Sequence, residues 1–184
     1  VAPEIADGRV IVAHLGSGAS LCAMQGLKSM ATTMGFSALD GLMMGTRTGA
    51  LDPGAVLYLM EIEKLSLEQV GRVLYHESGL LGVSGISAEP RVIVRHENDA
   101  GETGERARLA LALYVRRIVR EIGALIAVLG GLDMLVFTAG VALLALLRGA
   151  TKRPVALVVQ PEPEGPASAV AKPRRTRSRK AAAT

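Results

Sequence analysis

The residues best equipped for chemistry come early. His14-Leu15-Gly16-Ser17-Gly18-Ala19-Ser20 sets one imidazole and two hydroxyls around a pair of glycines. Glycine permits the tight turns in which successive backbone N–H groups converge on an anion, and serine and histidine add donors beside them. That combination suits a phosphate oxygen. Gly-Ser-Gly is also an ordinary hairpin turn, with the histidine simply a hydrogen-bonded neighbour. It is neither a Walker P-loop nor a dinucleotide fingerprint, because no Gly-Lys-Ser/Thr follows and the next stretch reads as a strand.

A second candidate is Met43-Met44-Gly45-Thr46-Arg47-Thr48-Gly49. Flanking glycines give Arg47 room to approach a ligand, and its planar guanidinium matches two oxygens of a carboxylate or phosphate. The plainer reading makes it a surface loop residue, with Met43 and Met44 packed in the core. A third is Gly130 to Gly140, an apolar strand ending in a small-residue turn. Nucleotides settle at such strand ends in open α/β sheets, although a core strand looks the same in sequence.

The other polar residues read as structural. His76 suits the C-terminal end of a helix, where a cation meets the dipole. His96 reads as exposed, Glu61 and Glu63 as a solvated helix face, and Cys22 as a small hydrophobe. With one cysteine and three histidines far apart, no intrachain disulfide or compact metal motif is expected. The cysteine usage points to a reducing, cytoplasmic setting.

These groups need a scaffold, and the pattern supplies one. Arg9–Leu15 is β-branched and apolar, and with Ser20–Met24 across the Gly16–Gly18 turn it predicts a β-hairpin. Gly26–Gly49 shows no period and reads as one long shaped loop. Asp52-Pro53 is an N-cap followed by a first-turn proline, opening a helix to about Lys64. Ser66-Leu67-Glu68-Gln69 is a capping box, opening a helix that stops at Gly79. Leu80–Ser87 reads as a loop or short strand, and Asn98–Gly104 as mobile. Leu111, Val115, Ile118, Ile122, Leu125 and Leu129 recur at three- and four-residue steps, predicting a long helix over Glu105–Leu129 that Gly130-Gly131 ends. Met134–Thr138 follows as a buried strand.

Composition sets the limits. The chain has 184 residues, 49% of them apolar, enough for one domain with an aliphatic core. Its net charge of +4 is uneven: residues 1–150 hold 13 Lys/Arg against 15 Asp/Glu, net −2, and residues 151–184 hold 8 against 2, net +6. A nucleic-acid reading therefore rests on the tail alone, chiefly Lys172–Lys180, and is the less favoured one. Ile122–Leu147 has the length of a membrane span, but Gly130-Gly131 and Asp133 interrupt it where a carboxylate is costly, so a buried helix, turn and strand is preferred. Val1–Asp7 lacks a basic signal-peptide start, and an opening valine predicts an internal piece or processed product.

Taken together, the segments carry more than any one alone. His-Leu-Gly-x-Gly-Ala-Ser, then Thr-Met-Gly-Phe-x-x-Leu-Asp-Gly-Leu-x-Met-Gly-Thr-Arg-x-Gly, then Ser-Gly-Leu-Leu-Gly-x-Ser-Gly-x-Ser, then Gly-Gly-Leu-Asp-x-Leu-Val-Phe-Thr-Ala-Gly resembles the acetokinase family over about Arg9–Gly140. The resemblance implies an α/β fold, one lobe of the actin/hexokinase/Hsp70 type, with ATP/ADP and Mg²⁺ in an interlobe cleft. It implies transfer of a phosphoryl group between ATP and a short-chain carboxylate such as acetate, and a homodimer. By that resemblance His14, Leu15, Gly16, Ser17, Gly18 and Ser20 lie on the nucleotide phosphates, and Arg47 steadies the phosphoryl in flight. Glu89-Pro90-Arg91 matches the family's Asp-x-Arg near the adenosine, and Gly140 starts the turn beneath the nucleotide.

The sequence also departs from that pattern. Ser17 stands where the family has Asn, and Glu89 where it has Asp. Beyond Gly140 the family's Gly-Glu-Asn is replaced by Val141-Ala142-Leu143-Leu144, and the family's first lobe and magnesium-associated glutamate are not in this chain. Residues 1–140 are thus expected to form a nucleotide-binding second lobe. Residues 141–184 are expected to form a divergent, disordered tail of the kind a shifted reading frame produces. The alternative to an enzyme is a non-catalytic nucleotide-binding fragment, or a nucleic-acid or acidic-partner binder acting through the tail.

Overall fold

The computed structural model describes residues 5–139, so Gly140, the apolar run after it and the basic tail lie outside the described residues. The four-stranded sheet has the order β3-β2-β1-β4, where β1 is Arg9–Leu15, β2 Ala19–Gln25, β3 Lys28–Thr32 and β4 Met134–Thr138. β1 pairs antiparallel with β2 and parallel with β4, which makes the sheet mixed, as expected. The five helices of the described residues fall between β3 and β4: α1 Pro53–Glu61, α2 Leu67–His76, α3 Gly79–Ser84, α4 Pro90–Arg95 and α5 Gly101–Leu129.

Strand period decides which side chains reach the core. Ile11, Ala13 and Leu15 of β1, Leu21 and Ala23 of β2, and Leu135 and Phe137 of β4 are buried on one face. α5 packs there through Ala107, Ala110, Leu111, Tyr114, Ile118, Leu125 and Leu129. Its small residues Gly104, Ala107 and Ala110 are buried among its larger ones. No helix of the described residues is long and apolar enough to cross a membrane: α5 has the length, but Arg116, Arg117, Arg120 and Glu121 interrupt its apolar run, and Gly130, left-handed at φ 67°, ends it.

The starts of α1 and α2 follow their caps. Asp52 accepts from the Gly54 N–H at 2.7 Å, and the Ser66 and Gln69 side chains close a reciprocal capping box. α1 stops at Glu61, before the expected Lys64, which adopts φ +57°.

Three expectations need correction. Gly26–Gly49 is not one loop, since β3 lies inside it. Gly26 and Leu27 both have positive φ, 56° and 59°, forming a primed turn that returns the chain along β2. Gly-Leu is a poor signal for that turn, and Lys28–Thr32 is mostly exposed at the sheet edge, so no apolar alternation marks it. Leu80–Ser87 is not extended either: Gly79–Ser84 is α3, with Leu80 buried. Asn98–Gly104 is partly ordered, because α5 begins at Gly101 and Arg108 Nη1 donates to the Glu97 carbonyl at 2.6 Å.

β1 and β4 are clamped at their common start. The Arg9 guanidinium grips the Asp133 carboxylate at 2.6 and 3.0 Å and donates to the Gly130 carbonyl at 2.9 Å. The Arg9 N–H adds a bond to the same carboxylate at 2.8 Å. Hydrogen bonding from the Arg9 side chain, then from its backbone, holds the Asp133 carboxyl down at about 2.

Candidate functional site

The face of the sheet opposite α5 carries a polar row at its far end. Register pairs His14 with Ser20 on β2 and with Thr138 on β4, so three neighbouring strands present these side chains side by side. His14 Nδ1 lies 3.0 Å from Thr138 Oγ1. The next rows down the same face are apolar or weakly polar, Val12 with Cys22 and Val136. Polar chemistry is therefore confined to the strand ends.

Gly16 makes room for the imidazole. A β-carbon at Gly16 would stand 3.2 Å from His14 Nε2. Its N–H, however, donates within the turn to the Gly18 carbonyl at 3.0 Å, so it is already engaged. The converging set of donors expected from this turn is smaller by that one.

Arg47 is carried to the same place by a loop that the start of α3 holds. The N–H groups of Leu80 and Leu81 donate to the carbonyls of Met44 and Gly45, both at 2.9 Å, and Ser78 N–H donates to Thr46 O at 2.9 Å. Thr46 Oγ1 reaches Tyr75 O at 2.9 Å, tying the loop to α2. Gly79 adopts φ +61°, and a β-carbon there would strike the Met44 carbonyl and stand 2.7 Å from the Arg47 carbonyl. Only glycine fits both constraints. The Ser78-Gly79-Leu80-Leu81 segment is thus the seat of the arginine loop, a role that sequence reasoning missed.

The two halves meet across a cavity of about 420 Å³ lined by His14, Gly18, Ala19, Ser20, Met44 and Arg47, with residues 34–38 and Asp40 as its other wall. Among the described residues, Arg47 has no carboxylate within ion-pair distance; its Nη1 lies 3.8 Å from Met44 Sδ. Asp40 lines the same cavity but is held within its own loop. Its Oδ1 accepts from Gly41 N–H at 2.8 Å, and its carboxylate covers the α-carbon of Gly35. A guanidinium without a paired carboxylate, facing an imidazole and a serine, has the charge and donors that suit an oxyanion.

The expected residues divide plainly. His14, Gly18, Ser20 and Arg47 line the cavity. Leu15 is buried in the core instead, and Gly16 and Ser17 stand at the turn, Ser17 exposed at its tip. Glu89 precedes α4 and is exposed, Pro90 is its first residue, and Arg91 is exposed on its first turn; none of the three lines this cavity. The preceding residue, Ala88, has its carbonyl 2.9 Å from where a Gly45 β-carbon would be, so this segment begins against the arginine loop. His76 and His96 lie elsewhere, His96 paired with Asp99 at 2.8 Å. Thr138 was legible only as part of a strand, although the period of two that buries Phe137 puts it on His14's face.

A divalent ion finds few protein ligands here. Among the described residues no three His, Cys, Asp or Glu side chains cluster, and Asp40 is the single carboxylate on the cavity wall. Magnesium is commonly held by one or two carboxylates together with substrate phosphates, a donor set these residues do not complete.

Comparison with known proteins gives consistent matches. The model of the acetokinase family matches residues 2–146. Acetate kinase of Rhodopseudomonas palustris strain TIE-1 is 56% identical over 137 residues, covering 74% of this chain and 33% of that protein. Acetate kinase of Methylocella silvestris is 52% identical over 141 residues, 77% of this chain and 33% of that one. Among solved structures, Porphyromonas gingivalis acetate kinase superposes with a TM-score of 0.69 at 41% identity, over 73% of this chain and 33% of that chain. A Francisella tularensis propionate kinase gives 0.66 at 36%, over 71% and 33%. The chain spans about a third of the length of the curated relatives it matches.

Proposed function

The chain belongs to the acetokinase family, and we propose that it supplies the phosphate-holding side of an acetate kinase-type site. The reaction is reversible phosphoryl transfer between ATP and a short-chain carboxylate. A carboxylate oxygen bonds to the terminal phosphorus, and the bond from that phosphorus to the bridging oxygen breaks. ADP departs with the electron pair, leaving an acyl phosphate. Residues 1–140 are the lobe that contributes to this, in a cytoplasmic enzyme whose other lobe completes the cleft.

One observation carries the reading: His14 and Arg47, thirty-three positions apart, face one cavity. Phosphoryl transfer asks a protein mainly for positioning and for charge aimed at the oxygens that gain it. Arg47, with no neighbouring carboxylate to neutralise it among the described residues, is suited to the transferring phosphoryl group. His14 and Ser20 are suited to the adjoining phosphates as hydrogen-bond donors, and Gly18 keeps the wall between them open. Glu89, Pro90 and Arg91, starting beside the same loop, are read as the adenosine contact, and Gly140 as the start of the turn beneath the nucleotide.

Calorimetric titration of the chain with ADP tests this. A charge-assisted hydrogen bond contributes about 1.5–3 kcal/mol, so Arg47→Ala should weaken ADP binding by about tenfold or more. Equal affinity in both proteins would refute the assignment. Turnover needs positioning from both sides of a cleft, and these residues span about a third of the length of the related kinases.

A further inference from the structure

We propose that Thr138 is the positioning residue for His14: its hydroxyl holds Nδ1, so that Nε2 keeps a proton and faces the cavity. The inference rests on the reading of that cavity as a phosphate site, and it goes further by assigning a role to a residue outside the cavity wall.

The geometry is specific. His14 and Thr138 are register partners on the parallel pair β1/β4, and Nδ1 and Oγ1 stand 3.0 Å apart. Thr138 is the last residue of β4. A threonine in a strand is stiff at χ1, so the hydroxyl's place is set by the backbone pairing and not by chance contact. That pairing is itself fixed at its other end by the Arg9–Asp133 clamp. The remaining ring nitrogen, Nε2, lies beside Gly16, where a β-carbon would stand 3.2 Å from it, and His14 itself is exposed and lines the cavity.

The chemistry follows from what a hydroxyl can do. It is both donor and acceptor, and it rotates to suit its partner. The hydroxyl can meet either neutral tautomer, and the one in which Thr138 donates to Nδ1, with the ring proton on Nε2, is the one that offers a donor to the cavity. When the imidazole is charged, Nδ1–H donates to Thr138 and Nε2 again carries a proton. In that tautomer and in the charged ring alike, the nitrogen offered to a phosphate oxygen is a donor, not a bare lone pair that would repel it. A carboxylate or a backbone carbonyl at that place, being acceptors only, would force the neutral ring's proton onto Nδ1. Valine, of the same shape without the hydroxyl, would leave the neutral tautomer unspecified.

Nitrogen NMR of the ¹⁵N-labelled chain decides it, with His14 assigned by the signal lost in His14→Gln. Under conditions where the ring is neutral, the wild type and Thr138→Ser should show Nε2 protonated and Nδ1 as the hydrogen-bonded bare nitrogen. Thr138→Val should shift Nδ1 toward a nitrogen without that bond and mix the tautomers. Titration with inorganic pyrophosphate should then be about three- to tenfold weaker for Thr138→Val and restored by Thr138→Ser. A wild-type ring protonated on Nδ1, or a Val variant whose His14 signals are unchanged, overturns the proposal. If Thr138→Val does not fold, the wild-type and Ser spectra still decide. A wild type that ignores pyrophosphate refutes the phosphate reading of the cavity, while the nitrogen shifts still test Thr138 by themselves.

Discussion

The guanidinium of Arg47 faces Gly18 so closely that a β-carbon built on that glycine would stand 3.7 Å from Nη1. The hairpin turn and the arginine loop come from separate parts of the chain, and this is where they meet. The contact distance is ordinary, so a methyl group fits without strain, yet it occupies the space between the two sides of the cavity.

Gly18→Ala should therefore leave folding stability within about 1 kcal/mol, since Gly18 has no positive φ to lose. Its cost should fall on ligand binding, as an ADP affinity several-fold weaker by calorimetry. A variant that unfolds, or one that binds as well as wild type, contradicts this account of the turn.

Gly79→Ala should behave in the opposite way. Positive φ and the Met44 and Arg47 carbonyls leave no place for a side chain, and a left-handed non-glycine residue alone costs about 1–2 kcal/mol. Chemical denaturation should show a loss of at least about 2 kcal/mol. Any folded fraction should bind ADP poorly, because the seat of Arg47 has moved.

Asp133 gives a pH signature. Its carboxyl is held at about 2 in the folded chain against 3.8 in a free one. A depressed carboxyl stabilises the fold above its unfolded value and loses that contribution as pH falls through the folded one. The clamp should therefore be fully effective above about pH 4 and fade toward pH 2. Urea midpoints of wild type and Asp133→Asn should differ at pH 6 and converge as the pH falls across that window. ADP affinity at neutral pH should be unchanged in the variant, because the clamp sits at the other end of β1.

Turnover makes a separate test. Incubated with acetate, ATP and Mg²⁺, these 184 residues should yield no hydroxamate-trapped acetyl phosphate, since they span only about a third of the length of the related kinases. A measurable rate abolished by Arg47→Ala would mean that these residues suffice for catalysis.

Much of this was legible in the sequence, for identifiable physical reasons. The β1–β2 hairpin, β4 and the core stripe of α5 announce themselves through period and through glycine stops, and caps located the starts of α1 and α2. β3 did not, because an exposed edge strand needs no apolar alternation and its Gly26-Leu27 turn is atypical. α3 did not, because Gly79-Leu80-Leu81-Gly82 is too short and glycine-rich to show a helical stripe. His14 and Arg47 stood out by residue type. Thr138 and Gly79 act on them only through strand register and backbone contact, which a linear reading does not display. Leu15 shows the converse: it sits within the motif, but the strand period turns it into the core.

The measurement that bears most directly on the account is an NMR titration of the labelled chain with ADP, following His14 Nε2 and Arg47 Nε together. The account predicts that both signals move, saturate at the same ADP concentration and yield one dissociation constant. If one responds while the other stays still, or the two saturate at clearly different concentrations, imidazole and guanidinium do not serve one phosphate site.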